Sequence, residues 1–264
     1  MFSKSRTIVL VLVLFLSLPS GFAAAGQTLY QYSTIDALLA GLYDGDLTVA
    51  ELKERGGFGL GTLNGIDGEL IVLDGEAYQA AAGGAVTVPA GDALVPFATV
   101  VHFDAEQQRH LKDIHTLDGL NDAIHALLPS ENRFYAVRID GTFHSVKTRA
   151  IAKQSPPYKP LAEVVKEQVV TTFDGRGTLI GLYAPVFVKG VNVPGFHWHY
   201  LAADRQGGGH VLDCTFDVAV AKLDVLRSFT VELPADRAFD DIDLSGDKGK
   251  ELHAVEKDPA QGKR

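Results

Sequence analysis

Cysteine is nearly absent: Cys214 stands alone in 264 residues, so no intrachain disulfide can staple the fold and stability must come from a buried core. Its surroundings, Val211-Leu212-Asp213 and Thr215-Phe216, read as a strand in which a lone thiol packs as a small apolar group. Basic residues are also scarce, with 24 Lys and Arg against 33 Asp and Glu. That balance argues against nucleic acid as a partner. Long apolar runs are missing beyond the N-terminus, where Ile8 to Leu18 follows Lys4 and Arg6 and precedes Ala23-Ala24-Ala25. This order of charge, short apolar core and small residues predicts an export signal over residues 1–25, cleaved after Ala25. A periplasmic or extracellular location follows, with no membrane partner after cleavage. No cysteine closes the apolar stretch, which removes a lipoprotein reading. Repeats and low-complexity tracts are absent as well.

What is present alternates between helical and extended patterns. Thr34 opens a helix carrying Ile35, Leu38, Leu39 and Leu42 at helical spacing, and Thr48-Val49-Ala50-Glu51 is a capping box closed by Gly56-Gly57. Short strands are expected over 58–63, 69–73, 77–80 and 93–103, with Asp74-Gly75 as a hairpin turn. A helix is expected over 117–128. Residues 134–150 read as a second hairpin turning at Asp140-Gly141, residues 161–170 as a helix, and 178–188 and 228–233 as strands. The last thirty residues are polar, with a mobile tip expected. Pro156, Pro157 and Pro160 form the one proline cluster in the body of the chain, and the boundary is placed there. The predicted class is therefore α+β. Two closely packed subdomains, residues 26–157 and 158–264, are expected on mixed or antiparallel sheets with a few helices.

One segment demands chemistry. In Gly195-Phe196-His197-Trp198-His199-Tyr200 the two histidines share a face of an extended strand, because side chains alternate with a period of two. A turn signal at Asp204-Arg205-Gln206-Gly207 leads back to His210. A four-residue loop over Ala203 to Gln206 pairs Ala202 with Gly207 and sets His199 directly opposite His210, close enough for both rings to reach one ion. His197, His199 and His210 are thus the candidate metal ligands, and three imidazoles suit zinc or another divalent first-row metal. The remaining histidines, at 102, 110, 115, 125, 144 and 253, lack metal-like spacing.

The chain resembles the bacterial α-acetolactate decarboxylases over nearly its whole mature length. The resemblance rests on Gly61-Thr62-Leu63-Asn64-Gly65-Ile66-Asp67-Gly68-Glu69-Leu70, on Ala136 to Gly141 with Val146-Lys147-Thr148-Arg149, and on Gly195 to Tyr200 with Gly208 to Asp213. It implies that the three histidines hold zinc and that Glu69, Thr62 and Arg149 stand beside the metal. A C-terminal glutamate folding back onto the metal is also implied, Glu256 fitting better than Glu251. The implied reaction is decarboxylation of 2-acetolactate to acetoin and CO2 on the route to acetoin and 2,3-butanediol, by a homodimer without thiamine or pyridoxal. Glu69, Glu256, Arg149 or a water stay open as the proton donor. Two other readings compete: an exported zinc carbonic anhydrase, whose third histidine comes much later in the chain, and a cupin-like metal- or sugar-binding module, in which Asp204 would replace a glutamate ligand.

Overall fold

Local signals set the small elements first. The computed structural model describes residues 27–256; the export signal expected over 1–25 and the tip of the tail lie outside the described residues. The chain begins with β1 (Thr28–Tyr32), α1 (Ile35–Leu39), β2 (Leu47–Thr48), α2 (Val49–Arg55), β3 (Phe58–Thr62), β4 (Glu69–Leu73) and β5 (Glu76–Ala80). It continues through β6 (Val86–Thr87), β7 (Leu94–Val95), β8 (Phe97–Val101), β9 (Gln107–Ile114), α3 (Leu117–His125) and β10 (Phe134–Ala150). The rest comprises α4 (Leu161–Val164), β11 (Val169–Ala184), β12 (Gly195–Ala202), β13 (Gly208–Leu226), β14 (Ser228–Glu232), α5 (Arg237–Asp241) and α6 (Gly249–Glu256). Thr34 caps α1 by accepting from the Ala37 N–H, and Thr48 and Glu51 cap α2 reciprocally. Asp74 and Gly75 both take positive φ and join β4 to β5 in a two-residue turn.

Two sheets carry the architecture. The seven-stranded sheet runs β14-β1-β8-β3-β4-β5-β6, antiparallel except where β14 lies parallel to β1. The five-stranded sheet runs β10-β11-β12-β13-β9, and β13 also pairs with β10, so the strand order closes on itself. A third pairing, β2 with β7, is separate. The α+β class with mixed sheets matches the expectation. Inside the closed strands lie Phe143, Trp198, Tyr200, Phe216 and Cys214, the last packed as the apolar residue expected. A second cluster, including Leu60, Ile71, Ile180 and Leu201, joins the two sheets. Sheet membership is not divided at the proline cluster. β9 and β10 precede it yet belong to the five-stranded sheet, and β14 follows it yet lies at the edge of the seven-stranded one.

Several expected elements take another form. Asp140-Gly141 is no turn, because β10 runs straight through it with β11 on one side and β13 on the other. A Cβ at Gly141 would stand 2.8 Å from that of Ala219, so the glycine serves close strand approach. Asp140 answers Arg138 at 2.8 Å and accepts from Thr178 within the sheet. The helix expected over 161–170 stops after one turn and a short 3-10 segment, since the β-branched Val169-Val170-Thr171-Thr172 pairs with β10. β9 is a strand without a sequence signal, because its alternation is weak, with Leu111 and Ile114 its buried residues. The polar tail folds back as α6, docking Leu252 and Val255 among Ile35, Leu38 and Leu161.

Candidate metal centre

The β12–β13 hairpin has the register the spacing demands. His199 faces His210, Tyr200 faces Gly209, Leu201 faces Gly208, and the Ala202 N–H donates to the Gly207 carbonyl at 2.8 Å. Trp198, on the opposite face, drives into the barrel interior and donates to Asn121. His197 and His199 consequently turn together toward the other face, where their ring centroids lie 5.1 Å apart. His210 joins them at 4.9 Å from His197 and 5.5 Å from His199. Ligand nitrogens of all three fall within 4.8 Å of one another, and the described residues contain no second cluster of this kind.

The adjoining strand brings Arg149 to the same place. Arg149 pairs with His210 across β10 and β13, next to a bulge that shifts the register between Lys147 and Thr148. Gly209 lets the strands approach: with φ at +149°, its Cβ would lie 2.9 Å from the Arg149 carbonyl. From the seven-stranded sheet comes Glu69, the first residue of β4, opposite Thr62 of β3. Its carboxylate divides its oxygens, Oε1 accepting from Arg149 at 3.2 Å and Oε2 standing 3.4 Å from His199 Nε2. The Thr62 hydroxyl donates to the Gly68 carbonyl at 2.7 Å, so it braces the residue before Glu69. Finally α6 carries Glu256, whose Oε2 lies 3.7 Å from His210 Nε2 and 4.0 Å from His197 Nε2. Glu251 points elsewhere, toward Lys248.

Burial sets the protonation states. It pushes the His197 imidazole down to about 3 and drives His199 and His210 well below the ordinary range, with the Arg149 charge acting in the same direction. The three rings are therefore neutral, the form that donates a lone pair. Burial also lifts Glu69 and Glu256 to about 7, against the pull of Arg149. His199 donates Nδ1–H to the Leu70 carbonyl at 2.9 Å, leaving an Nε2 lone pair that is buried without a hydrogen-bond partner. An orphaned imidazole nitrogen aimed at two others fits a divalent cation. The Leu70 carbonyl left no mark in the sequence, since any residue type would supply it.

Two spaces meet at the centre. An inner cavity of about 40 Å³ is lined by Thr62, Glu69, Arg149, His197, His210 and Glu256 on its polar side. A cleft of about 700 Å³ reaches His197, His210 and Glu256 from the other side, past Phe196 and Trp198. Asp204, the residue a cupin reading would need as a ligand, lies exposed in the hairpin turn and accepts from the Gln206 N–H. None of the other histidines joins the trio: His253 lines the outer cleft, while His125 meets Glu131 and His144 meets Asp217 on the surface.

A β-rich α+β fold with neutral imidazoles, an arginine and two carboxyls around one buried cavity defines an enzyme with a site suited to a divalent metal. The chain belongs to the alpha-acetolactate decarboxylase family, whose model matches residues 29–246. It is 45% identical over 234 residues to an alpha-acetolactate decarboxylase of Methanosarcina mazei, covering 88% of this chain and 81% of that one. The corresponding protein of Raoultella terrigena is 40% identical over 86% of this chain and 89% of its own length. Among solved structures, the alpha-acetolactate decarboxylase of Bacillus subtilis strain 168 superposes with a TM-score of 0.85 at 35% identity, covering 88% of this chain and 100% of that one. Neither the carbonic anhydrase nor the cupin reading is favoured by these relatives.

Proposed function

We propose that this protein decarboxylates 2-acetolactate, 2-hydroxy-2-methyl-3-oxobutanoate, to acetoin and CO2. The observation that carries the reading is the clustering of three neutral imidazoles beside the Arg149–Glu69 pair, with His197, His210, Arg149 and Glu69 lining one cavity, in a chain of this family. His197, His199 and His210 would hold the ion, zinc being the natural choice for three imidazoles. When bound, such an ion supplies Lewis-acid polarisation of the substrate's ketone and a sink for the electron pair left behind by CO2.

The chain's own residues do the rest. Arg149 has a buried Nε–H without a partner and is 5% exposed, so it offers an unspent donor to the substrate carboxylate and orients the bond that breaks. Glu69 holds the guanidinium in place from the other side. After CO2 departs, the carbon that carried it must take a proton. Glu69 and Glu256, whose carboxyls burial lifts above the ordinary range, stand on the cavity wall as candidate donors. Thr62 positions Glu69 through the Gly68 carbonyl. The test is acetoin release from acetolactate by metal-loaded protein, lost with chelator and restored by metal add-back. Metal-loaded protein that releases no acetoin overturns the reading.

Export and assembly belong to the same proposal. The leader over residues 1–25 would direct the protein out of the cytoplasm, to be checked by N-terminal sequencing of the exported chain. A homodimer is the assembly the family resemblance implies, and light scattering measures it. Among the described residues no helix is long and apolar enough to cross a membrane.

A further inference from the structure

The inner cavity has a second wall to which the mechanism gives no work. Besides the polar groups it is lined by Ile35 and Leu38 of α1, Leu161 of α4 and Val255 of α6, with Ile66, Phe97 and Ile151. All belong to one apolar cluster gathered by three helices distant in sequence. The free space between these walls is small, about 40 Å³. In so small a space one methylene more or less is felt.

Resting on the decarboxylase reading, we propose that Leu38, Leu161 and Val255 form the substrate's alkyl subsite and set the largest substituent accepted at the carbon that loses CO2. Arg149 and Glu69 line the inner cavity and not the outer cleft, so a substrate with its carboxylate on Arg149 brings the substituent on the carbon that loses CO2 against this wall. Leu38, Leu161 and Val255 stand on helices and not on the sheet that holds the imidazoles. Side-chain volume can therefore change here without disturbing the hairpin register.

α6 supplies its own control. Leu252 and Val255 are both buried in the same cluster, yet Val255 lines the inner cavity while Leu252 lines the outer cleft. Shortening either loosens the helix, but only Val255 enlarges the subsite. The measurement is kcat/KM for acetolactate and for its 2-ethyl homologue in the metal-loaded protein. Leu161→Ala and Val255→Ala should each raise the ethyl-to-methyl ratio roughly tenfold, the usual effect of one methylene in an apolar pocket. Leu252→Ala should lower both rates together and leave the ratio unchanged. Should Leu161→Ala fail to fold, the milder Leu161→Val is expected to shift the ratio in the same direction by less. Unchanged ratios in the inner-wall variants overturn the proposal, as does an equal shift in Leu252→Ala, which would mark helix loosening as the cause. If the native protein turns over neither acid, the decarboxylase reading fails first and takes the subsite with it.

Discussion

The β12–β13 hairpin and helix α6 reach the same cavity from unlike supports. β12 is flanked by β11 and β13, and β13 by β10, so His199 and His210 stand on strands paired on both sides and are 0% and 3% exposed. α6 is eight residues long, and its buried side chains are Leu252 and Val255. A helix that short is marginal by itself. Burying each of those side chains stabilises its docking by about 1.5–3 kcal/mol. The imidazole cluster thus comes with the sheet, whereas Glu256 is delivered by a separately docked element. Metal retention and catalytic competence should be separable by mutation.

The largest expected effect strikes the hairpin. His199→Ala should abolish both metal retention and activity; elemental analysis that finds stoichiometric metal in this variant would break the contrast at its root. Next comes Arg149→Ala, which should keep the metal while kcat/KM falls roughly 10²–10³-fold, the scale of one lost charge-stabilising donor. Glu256→Gln should also retain metal and lose about 10²-fold in kcat, as expected for a group that handles a proton. Metal loss in that variant would place α6 on the same footing as the hairpin.

Smaller effects follow pH. Folding holds His197 neutral down to about 3, so its contribution to stability is full above the unfolded histidine range near 6.5 and is lost as pH falls below it. Glu69 and Glu256, lifted to about 7, run the other way: their contribution is full in acid and is lost as pH rises through 7. A bound cation reverses the carboxyl penalty. The gain in Tm on adding metal should therefore widen between about pH 5.5 and pH 8, and a gain independent of pH would remove the carboxyls from the centre. The smallest effect lies outside the site. Asp224 is buried, accepts from the Asp104 N–H and is lifted to about 6, so its charge opposes folding increasingly as pH rises to that value. Asp224→Asn keeps an acceptor and should raise Tm slightly above pH 6 and not below pH 4.

Legibility follows the range of the interaction. Capping at Thr34 and Thr48 and the Asp74-Gly75 turn were readable because each is decided within a few residues. Asp140-Gly141 has the same local signature as Asp74-Gly75 yet lies in mid-strand, because partners on both sides outweigh the turn preference. β9 carries no clear local signal and α4 ends early for a like reason: their state is chosen by the strands and helices they meet.

The sequence by itself determined the histidine trio and its shared face, since period-two alternation and an even loop turn all three rings the same way, and a four-residue loop sets His199 opposite His210. Only the tertiary structure decided the rest. Glu69, Arg149, Glu256 and the wall of Leu38, Leu161 and Val255 come from both sheets and three helices, and their meeting depends on burial and close packing between segments remote in the chain. The same burial neutralises the imidazoles and lifts the carboxyls, so the chemistry, as distinct from the donor list, belongs to the folded state.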